Sequence, residues 1–160
     1  MNDYVLKNKW TLWFHSISNK KWDNKSYIKV IEITNLFDYK LLDNIFKMNH
    51  LQNGMFFLMK NNIFPTWEDP KNRLGGCISF KYDKNILKEW LKIILLLITE
   101  NLSVKENINE INGISISPKK EFNITKIWIK NDSKDYKEIV KEYGPILIEK
   151  SIYKKHELSY

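Results

Sequence analysis

The chain contains very little cysteine, histidine and arginine, and each scarcity excludes a class of site. Cys77 is the only cysteine among 160 residues, which excludes an internal disulfide and any zinc site built on several cysteines, and indicates a reducing compartment. The three histidines, His15, His50 and His156, have no metal-ligand spacing, so we expect neither a metal nor a cofactor. Arg73 is the only arginine, which largely excludes bidentate arginine contacts to base edges.

Long hydrophobic runs are also missing. The most apolar stretch, residues 90–98, is interrupted by Lys92 and falls far short of the ~18 residues that a membrane helix needs. Residues 1–9 are polar and unlike a secretory signal. We therefore expect a cytoplasmic protein, with a nuclear pool as an alternative, and no membrane partner.

Positive charge and aromatic side chains are abundant. The net charge is +7, the isoelectric point is about 9.3, and 14% of the residues are aromatic, including six tryptophans. A chain of this length, with 43% hydrophobic and 28% charged residues, suits one domain, residues 1–160, with a single core. Lysine suits point-charge contacts to phosphate, although a lysine-rich solvated surface would have the same composition.

Hydrophobic patterns predict a mixture of strands and helices in one α+β domain. Strand patterns cover residues 9–15, 27–34, 55–60, 77–82, 113–117, 124–130 and 146–153. Helical spacing covers residues 35–48 and 86–100, and a cap at Asp132 or Ser133 predicts a third helix to about Tyr143. This order, without regular parallel crossovers, indicates an antiparallel sheet with helices on one face.

The segment from residue 63 to residue 76 is the most informative motif. It places Trp67 directly beside Glu68 on a stretch stiffened by two prolines and ended by two glycines. An indole face next to a carboxylate suits a flat cation that also carries in-plane N–H donors. A positively charged guanine is such a ligand.

A second aromatic ring is needed, because one stacked base contributes roughly 1–3 kcal/mol against association costs of at least ~4 kcal/mol. Trp22 is the best candidate, since it lies in a polar loop between two predicted strands. An indole folded onto the core is the alternative for both Trp22 and Trp67. For Trp128, Trp10 and Trp13 the alternative is an ordinary core position in an alternating strand.

The order of these pieces resembles the mRNA cap-binding initiation factor 4E family. The resemblance runs from residue 9 to about residue 153 and rests on Trp10, Trp13, Lys21-Trp22, Trp67 to Asn72 with Gly75-Gly76, Asn112-Gly113 and Ile127-Trp128. It implies a curved antiparallel sheet of about eight strands with three helices packed on the convex face. It also implies an exposed slot on the concave face, with a mobile Trp22 in the free protein.

The resemblance assigns a role to each residue of the slot. Trp22 and Trp67 match the indoles that sandwich 7-methylguanine, and Glu68 matches the carboxylate that accepts the N1 and N2 hydrogens. Trp128 matches the indole that lies against the N7 methyl group. The implied partner is capped mRNA, and the implied role is translation initiation by a binding protein.

The phosphate-binding positions depart from the family pattern. Lys119 stands where an arginine is usual, Cys77 where a second basic residue is common, and Ile124 where a lysine falls. Lys119, Lys120 and Lys126 remain to face the triphosphate, although the first two would also suit a solvated turn. Lysine cannot form a bidentate fork, so we expect the base to be held normally and the phosphates to be held less rigidly or in another geometry.

The resemblance also implies a partner-binding surface on the helices. Tyr39, Leu91 and Leu95 correspond to the positions that receive a helical motif from an initiation scaffold or a repressor. Tyr39 replaces the usual tryptophan and Asn35 replaces a small apolar residue. The two leucines would equally suit a core, so recognition of the usual partners is open.

Other classes of function make different predictions. An enzyme acting on caps would need a carboxylate cluster or a Gly-x-Gly turn, whereas Glu68-Asp69 is the only carboxylate pair near the slot, so we expect no catalysis. A general single-stranded RNA binder would ignore the 5′ end and weaken steeply with salt. A cap-binding repressor that recruits no scaffold is the third alternative, although Trp10 and Trp22 favour the initiation type. We expect a monomer.

Overall fold

The computed structural model describes residues 4–144 and 146–156, which form a seven-stranded antiparallel sheet and three helices. The strands are β1 (Val5–Ser16), β2 (Ile28–Asn35), β3 (Gly54–Lys60), β4 (Gly76–Asp83), β5 (Ile111–Pro118), β6 (Phe122–Ile129) and β7 (Ile152–Lys155). The helices are α1 (Leu36–Ile45), α2 (Met48–Asn53) and α3 (Leu87–Ile98). The strand order is β2-β1-β3-β5-β6-β4-β7.

Helix α3 carries the largest apolar face of the three helices. Its fully or nearly fully buried residues recur every three or four positions, which is the spacing of one helix face: Trp90, Ile93, Ile94, Leu97 and Ile98. This face belongs to the main hydrophobic core. Within the described part of the chain, none of the helices combines the length and the hydrophobicity needed to cross a membrane.

The sheet face beneath the helices is lined by alternate residues of the central strands. Trp10 and Leu12 of β1, Leu58 of β3, Ile114 of β5 and Ile127 of β6 are fully buried in the same cluster as α3. Because neighbouring strand residues point to opposite faces, the residues between them must line the other side of the sheet.

That other side, which we call the second face, has a smaller core of its own. Its buried residues are Phe57, Met59, Ile63, Cys77 and Trp128, with Trp13, Tyr27 and Met55 packed against them. Four of these eight residues are aromatic, so rings make up half of this smaller core. The residues predicted to bind a base therefore have an aromatic surface to lie on.

The predicted fold class is confirmed, with seven strands in the described residues instead of about eight. The helix predicted for residues 132–143 is wrong, because only a 3₁₀ turn at Tyr136–Glu138 forms there. The chain pairs instead with residues 102–104, where Ser103 forms an antiparallel bridge with Val140. A local capping signal was overridden by this long-range pairing.

Two other predicted boundaries also change. The helix predicted for residues 35–48 ends early: the Phe46 N–H closes α1 on the Leu42 carbonyl at 2.7 Å, and Lys47 then adopts an extended conformation before α2. The three helices of the fold therefore include α2, in place of the helix that was predicted for residues 132–143. The last strand is shorter than predicted, because a 3₁₀ turn at Ile148–Lys150 precedes β7.

Gly75 ends the loop between β3 and β4 (loop 61–75) where it meets β6. A Cβ at this position would overlap the carbonyl group of Ile129, which is backbone and cannot rotate away. The Gly75 N–H donates to the Asn72 carbonyl at 2.9 Å, and its own carbonyl accepts from the His156 N–H at 3.0 Å. The end of loop 61–75 is therefore held by one hydrogen bond within the loop, to Asn72, and by another to His156 of the C-terminal segment.

Candidate nucleic-acid interface

The Trp67–Glu68 pair lies in loop 61–75, which Asp69 folds into a tight turn. The Asp69 carboxylate accepts from the Phe64 N–H at 3.0 Å and from the Lys71 N–H at 2.8 Å. These bonds close the chain around the pair, because one donor precedes it and the other follows it. Trp67 is left half-buried and Glu68 exposed.

Asn72, fully buried, holds the same loop from inside. Its Nδ2 donates to the carbonyls of Phe64 (3.1 Å) and Thr66 (2.9 Å). Its Oδ1 accepts from Asn112 of β5 at 2.9 Å, and Asn112 also donates to the Lys71 carbonyl at 2.9 Å. Two asparagines thus connect the loop to the sheet, a role that the sequence did not reveal although both residues contribute to the family resemblance.

The loop also packs on a set of rings that we call the aromatic floor: Trp13, Tyr27, Phe57, Phe64 and Trp128. Phe64 lies edge-on to Trp13 and to Tyr27, with ring centroids 5.1 Å apart in both cases. Tyr27 in turn lies 5.6 Å from Phe57. The floor therefore joins β1, β3, β6 and Tyr27, the residue just before β2, to the root of the Trp67–Glu68 turn.

Trp22 lies exposed beside this floor and is stacked on His15. The two ring centroids are 3.6 Å apart and the planes are nearly parallel, at 4°. His15 is fully buried, with its Nε2 2.8 Å from the Lys21 carbonyl and its Nδ1 3.0 Å from the Ser16 carbonyl. Trp22 remains 55% exposed, so His15 supports the indole without covering it. No pattern in the sequence pointed to this histidine.

The chain after Trp22 is shaped by a local cap. The Asp23 carboxylate accepts from the N–H groups of Lys25 and Ser26, both at 3.0 Å, and starts a 3₁₀ turn. This is the capping that aspartate favours before a helical turn. Tyr27 follows and packs edge-on to Trp22 at 6.1 Å, so the turn places this indole next to the floor.

The Glu68 charge acts on two titratable groups near the second face. Burial and then the Glu68 carboxylate raise the pKa of Tyr27 to about 12. The pKa of His156 is lowered by burial and by Lys126, and the Glu68 charge opposes this shift. The ring of His156 is tilted against Trp128 at 5.4 Å. The Glu68 carboxylate thus influences the pKa of Tyr27 and that of His156, which lies at the Trp128 end of the floor.

Trp128 lies on the second face as a floor residue and is only 7% exposed. Its Nε1 donates to Ser115 Oγ at 3.1 Å, and its ring lies 6.3 Å from Phe57. Most of the Trp128 side chain is therefore buried, as expected for the alternative of an ordinary core position. Its contact with a methyl group stays a prediction, to be made by the small exposed part.

The predicted phosphate-binding lysines lie beyond Trp128 along the hairpin. Lys126 is two residues before Trp128 on β6 and hence on the same face, exposed. Lys119 and Lys120 are exposed in the β5–β6 turn, where the Lys119 N–H donates to the Phe122 carbonyl at 2.8 Å. All three are exposed, and among residues 4–144 and 146–156 none of them forms an ion pair.

Strand register brings two more lysines to this face that the sequence did not indicate. Lys81 of β4 lies with its Nζ 4.2 Å from the centre of the Phe122 ring, and Lys154 of β7 pairs with Cys77. Burial raises the pKa of the Cys77 thiol to about 12, so this position supplies no charge where a basic residue is common. Lys154 is the neighbouring cation.

The predicted partner-binding residues meet on the helical side. The Tyr39 hydroxyl donates to the Leu91 carbonyl at 2.8 Å, which ties α1 to α3. Tyr39 and Leu91 are half-buried and Leu95 is 37% exposed. Asn35 caps α1 by accepting from the Asp38 N–H at 3.0 Å, which gives this departure a structural reason.

Metal ligands do not gather at the site: residues 4–144 and 146–156 contain no group of three or more His, Cys, Asp or Glu side chains that could hold a metal ion. The site of the described chain thus consists of rings, one exposed carboxylate and lysines. Such a set can stack a planar base, accept its N–H donors and attract phosphate.

Comparison with known proteins gives a consistent family. The model of the family described as eukaryotic initiation factor 4E matches residues 5–160. Eukaryotic translation initiation factor 4E of Saccharomyces cerevisiae is 27% identical over 141 residues, which are 82% of this chain and 64% of the relative. That of Eremothecium gossypii is 31% identical over 136 residues, 80% of this chain and 63% of the relative. The chain thus spans slightly less than two thirds of these relatives.

Solved structures share the fold. Ascaris suum eIF4E-3 in complex with the m7G cap superposes with a TM-score of 0.72 at 23% identity, over 85% of this chain and 78% of the other. Caenorhabditis elegans eIF4E-3 in complex with the 4E-binding protein Mextli gives 0.73 at 21% identity, over 83% and 79%. At this identity the likeness establishes the architecture.

Proposed function

Since the chain belongs to the eukaryotic initiation factor 4E family, we propose that it binds the 5′ 7-methylguanosine cap of mRNA and acts in translation initiation. It does so as a single-domain, monomeric cytoplasmic binding protein, not as an enzyme. The observation that carries the proposal is the meeting of Trp22, half-exposed on His15, and the rigid Trp67–Glu68 turn at one aromatic floor. The structure of a relative with an m7G cap supports the same ligand.

The base is held by stacking and by Glu68. Trp22 and Trp67 take the two faces of the guanine, and the Glu68 carboxylate accepts the N1 and N2 hydrogens. Trp128 provides the surface nearest the N7 methyl. Methylation makes the ring cationic, which strengthens its attraction to indole faces and makes its N–H groups better donors.

Methyl selectivity tests this function. We expect 7-methyl-GTP to bind about 100-fold more tightly than GTP, because cation–π and charge-assisted contacts contribute about 2 kcal/mol each when desolvated. Quenching of tryptophan fluorescence during parallel titrations measures both affinities. Equal affinities would contradict the proposal and would favour a general single-stranded RNA binder.

His15 is expected to position Trp22. Replacing His15 by alanine removes a stacked ring, an arrangement worth about 0.5–1.5 kcal/mol beyond the buried area, so affinity for 7-methyl-GTP should fall about 5-fold. His15→Phe keeps a ring behind Trp22 and should recover most of the loss. The same fluorescence titration measures the affinity, and thermal unfolding shows whether the variants remain folded. Equal affinities for the alanine and phenylalanine variants would contradict a stacking role.

The phosphates are held by separate lysines, chiefly Lys126, with Lys119 and Lys120 at the turn. Lys126→Gln should lower the affinity for 7-methyl-GTP about 5-fold. A hydrogen bond to a charged phosphate contributes more than a neutral one, but solvent weakens an ion pair that is exposed. Affinity for 7-methylguanosine, which has no phosphate, should not change. Lys92→Gln, an exposed change on α3, is the matched control.

The size of the phosphate contribution tests how these lysines work. We expect a modest gain from 7-methyl-GDP to 7-methyl-GTP, because point charges do not clamp a phosphate in two places. A large gain that persists in Lys126→Gln would show that other groups grip the third phosphate. Lys81 and Lys154 would then be the next positions to change.

The helical side is proposed to receive a partner. Tyr39, Leu91 and Leu95 form a half-exposed surface across α1 and α3, and a relative is known in complex with a 4E-binding protein. An amphipathic helix laid on such a surface would suit either an initiation scaffold or a repressor. Leu95→Asp should abolish binding of such a helix while leaving cap binding unchanged, as measured by co-purification and by fluorescence titration.

A further inference from the structure

A polar pocket of about 480 Å³ lies at the end of the sheet where β3 stops and β5 begins. Part of loop 61–75 forms one wall, through Pro70, Lys71 and Leu74. None of the described residues assigned above to the base, the phosphates or the partner helix lines it. Its volume lies in the range of pockets that hold a small molecule such as a nucleotide.

The most unusual group in this pocket is Lys60, which is only 7% exposed. Its Nζ donates one long hydrogen bond, 3.4 Å, to the Asn109 carbonyl. Within residues 4–144 and 146–156 it has no other bonded partner and no ion pair. An ammonium group carries three donors, and burying one is costly unless they are satisfied. Two donors of Lys60 are therefore open to a ligand in the pocket.

The charges around Lys60 leave a positive surplus. Lys71 and Lys130 also line the pocket. Two carboxylates also act on Lys60: Glu100, which keeps its charge while accepting from the lining Asn8 at 2.7 Å, and Glu110, whose charge is offset by a lysine outside the pocket at 3.3 Å. Lys7 adds a further positive charge near Lys60, so the lysines outnumber these carboxylates. Three lysines around one cavity attract an anion, and lysine is a common point-charge binder of phosphate.

Carboxamide groups supply further donors. Asn109 and Asn131 line the pocket, and within the described ranges their Nδ2 groups donate to no protein acceptor. We propose that this pocket binds a phosphate group, with Lys60 at its base and Lys71 and Lys130 at its rim. This site is separate from the cap slot and does not rest on the function proposed for it.

The test uses inorganic phosphate and adenosine monophosphate as probes of the full chain at constant ionic strength. Nuclear magnetic resonance follows the side-chain amide signals of Asn109 and Asn131, which should shift and saturate with each probe. Lys130→Gln should weaken binding about tenfold, as expected for a lost hydrogen bond to a charged group. Lys71→Gln should do the same, and Lys141→Gln, an exposed change elsewhere, should have no effect.

Lys60→Met should abolish saturable binding, and if this buried variant fails to fold, the two rim variants still decide the matter. Tighter binding of adenosine monophosphate than of phosphate would identify a nucleotide as the ligand class, and equal binding would identify the free anion. Absence of saturable shifts, or shifts unaffected by Lys71→Gln and Lys130→Gln, would overturn the proposal. Binding of 7-methylguanosine should persist in Lys130→Gln, so failure of this site is distinguishable from failure of the cap slot.

Discussion

Replacing Glu68 by alanine is expected to weaken binding of 7-methyl-GTP by about 100-fold or more, because hydrogen bonds to a charged acceptor contribute about 1.5–3 kcal/mol each and two are lost. Glu68 is the exposed carboxylate of the Trp67–Glu68 turn, and its charge already reaches Tyr27 and His156 across the second face. No structural bond of the Glu68 carboxylate within the described residues is removed, so the fold should be unchanged. Fluorescence titration gives the affinity and thermal unfolding gives the stability.

Two companion variants sharpen this result. Glu68→Gln keeps the shape but offers only one acceptor and turns an N–H group toward the donors of guanine, so it should bind nearly as weakly as the alanine variant. Glu106→Ala removes an exposed carboxylate outside the site and should bind normally. A Glu68→Ala protein that binds 7-methyl-GTP within about threefold of the parent would contradict the assigned role, since it would leave no room for even one charged hydrogen bond.

Replacing Asn72 by leucine is expected to destabilise the protein by about 3–5 kcal/mol, because buried groups left without partners cost about 1–3 kcal/mol each. Asn72 donates to the Phe64 and Thr66 carbonyls and accepts from Asn112, so three groups lose their partner. Such a loss is a large part of the total stability of a domain. Urea unfolding measures it, and cap binding should fall with it because the Trp67–Glu68 turn loses its support.

The polar variant of the same residue makes a distinct prediction. Asn72→Asp keeps the shape but directs a carboxylate oxygen at two carbonyl oxygens, so it should be at least as destabilising as leucine at neutral pH. Asn101→Ala, an exposed asparagine after α3, should change stability little. If Asn72→Leu lowered the free energy of unfolding by less than about 1 kcal/mol, the asparagine pair would not be the support of the loop.

The sequence was sufficient for those parts of the fold whose pattern and environment agree. Helix α3 was predicted within a few residues because its buried positions recur at helical spacing. The helix expected at 132–143 failed because Val140 bridges Ser103, a contact between segments that no local pattern shows. Asp132 does not cap a helix; its carboxylate instead accepts a hydrogen bond from the Tyr153 hydroxyl at 2.5 Å.

The candidate site divides in the same way. Trp22, Trp67, Glu68 and Trp128 could be proposed as base-binding residues from the sequence, because their order along the chain resembles a known family. The groups that hold them could not: His15 meets Trp22 through a loop conformation. Asn72 meets Asn112 across 40 positions. Such partners follow from strand register and loop geometry, which residue types alone do not determine.

In the proposed complex, 7-methylguanine lies between the faces of Trp22 and Trp67. The most direct measurement is the proton resonance of the N7 methyl and of H8 in 7-methyl-GMP bound to the protein, in the parent chain and in Trp22→Ala and Trp67→Ala. Ring currents from two stacked indoles should move both signals far upfield, and each alanine variant should remove a large part of the shift. Unshifted signals from the bound nucleotide, or shifts that survive in both variants, would contradict the stacked arrangement.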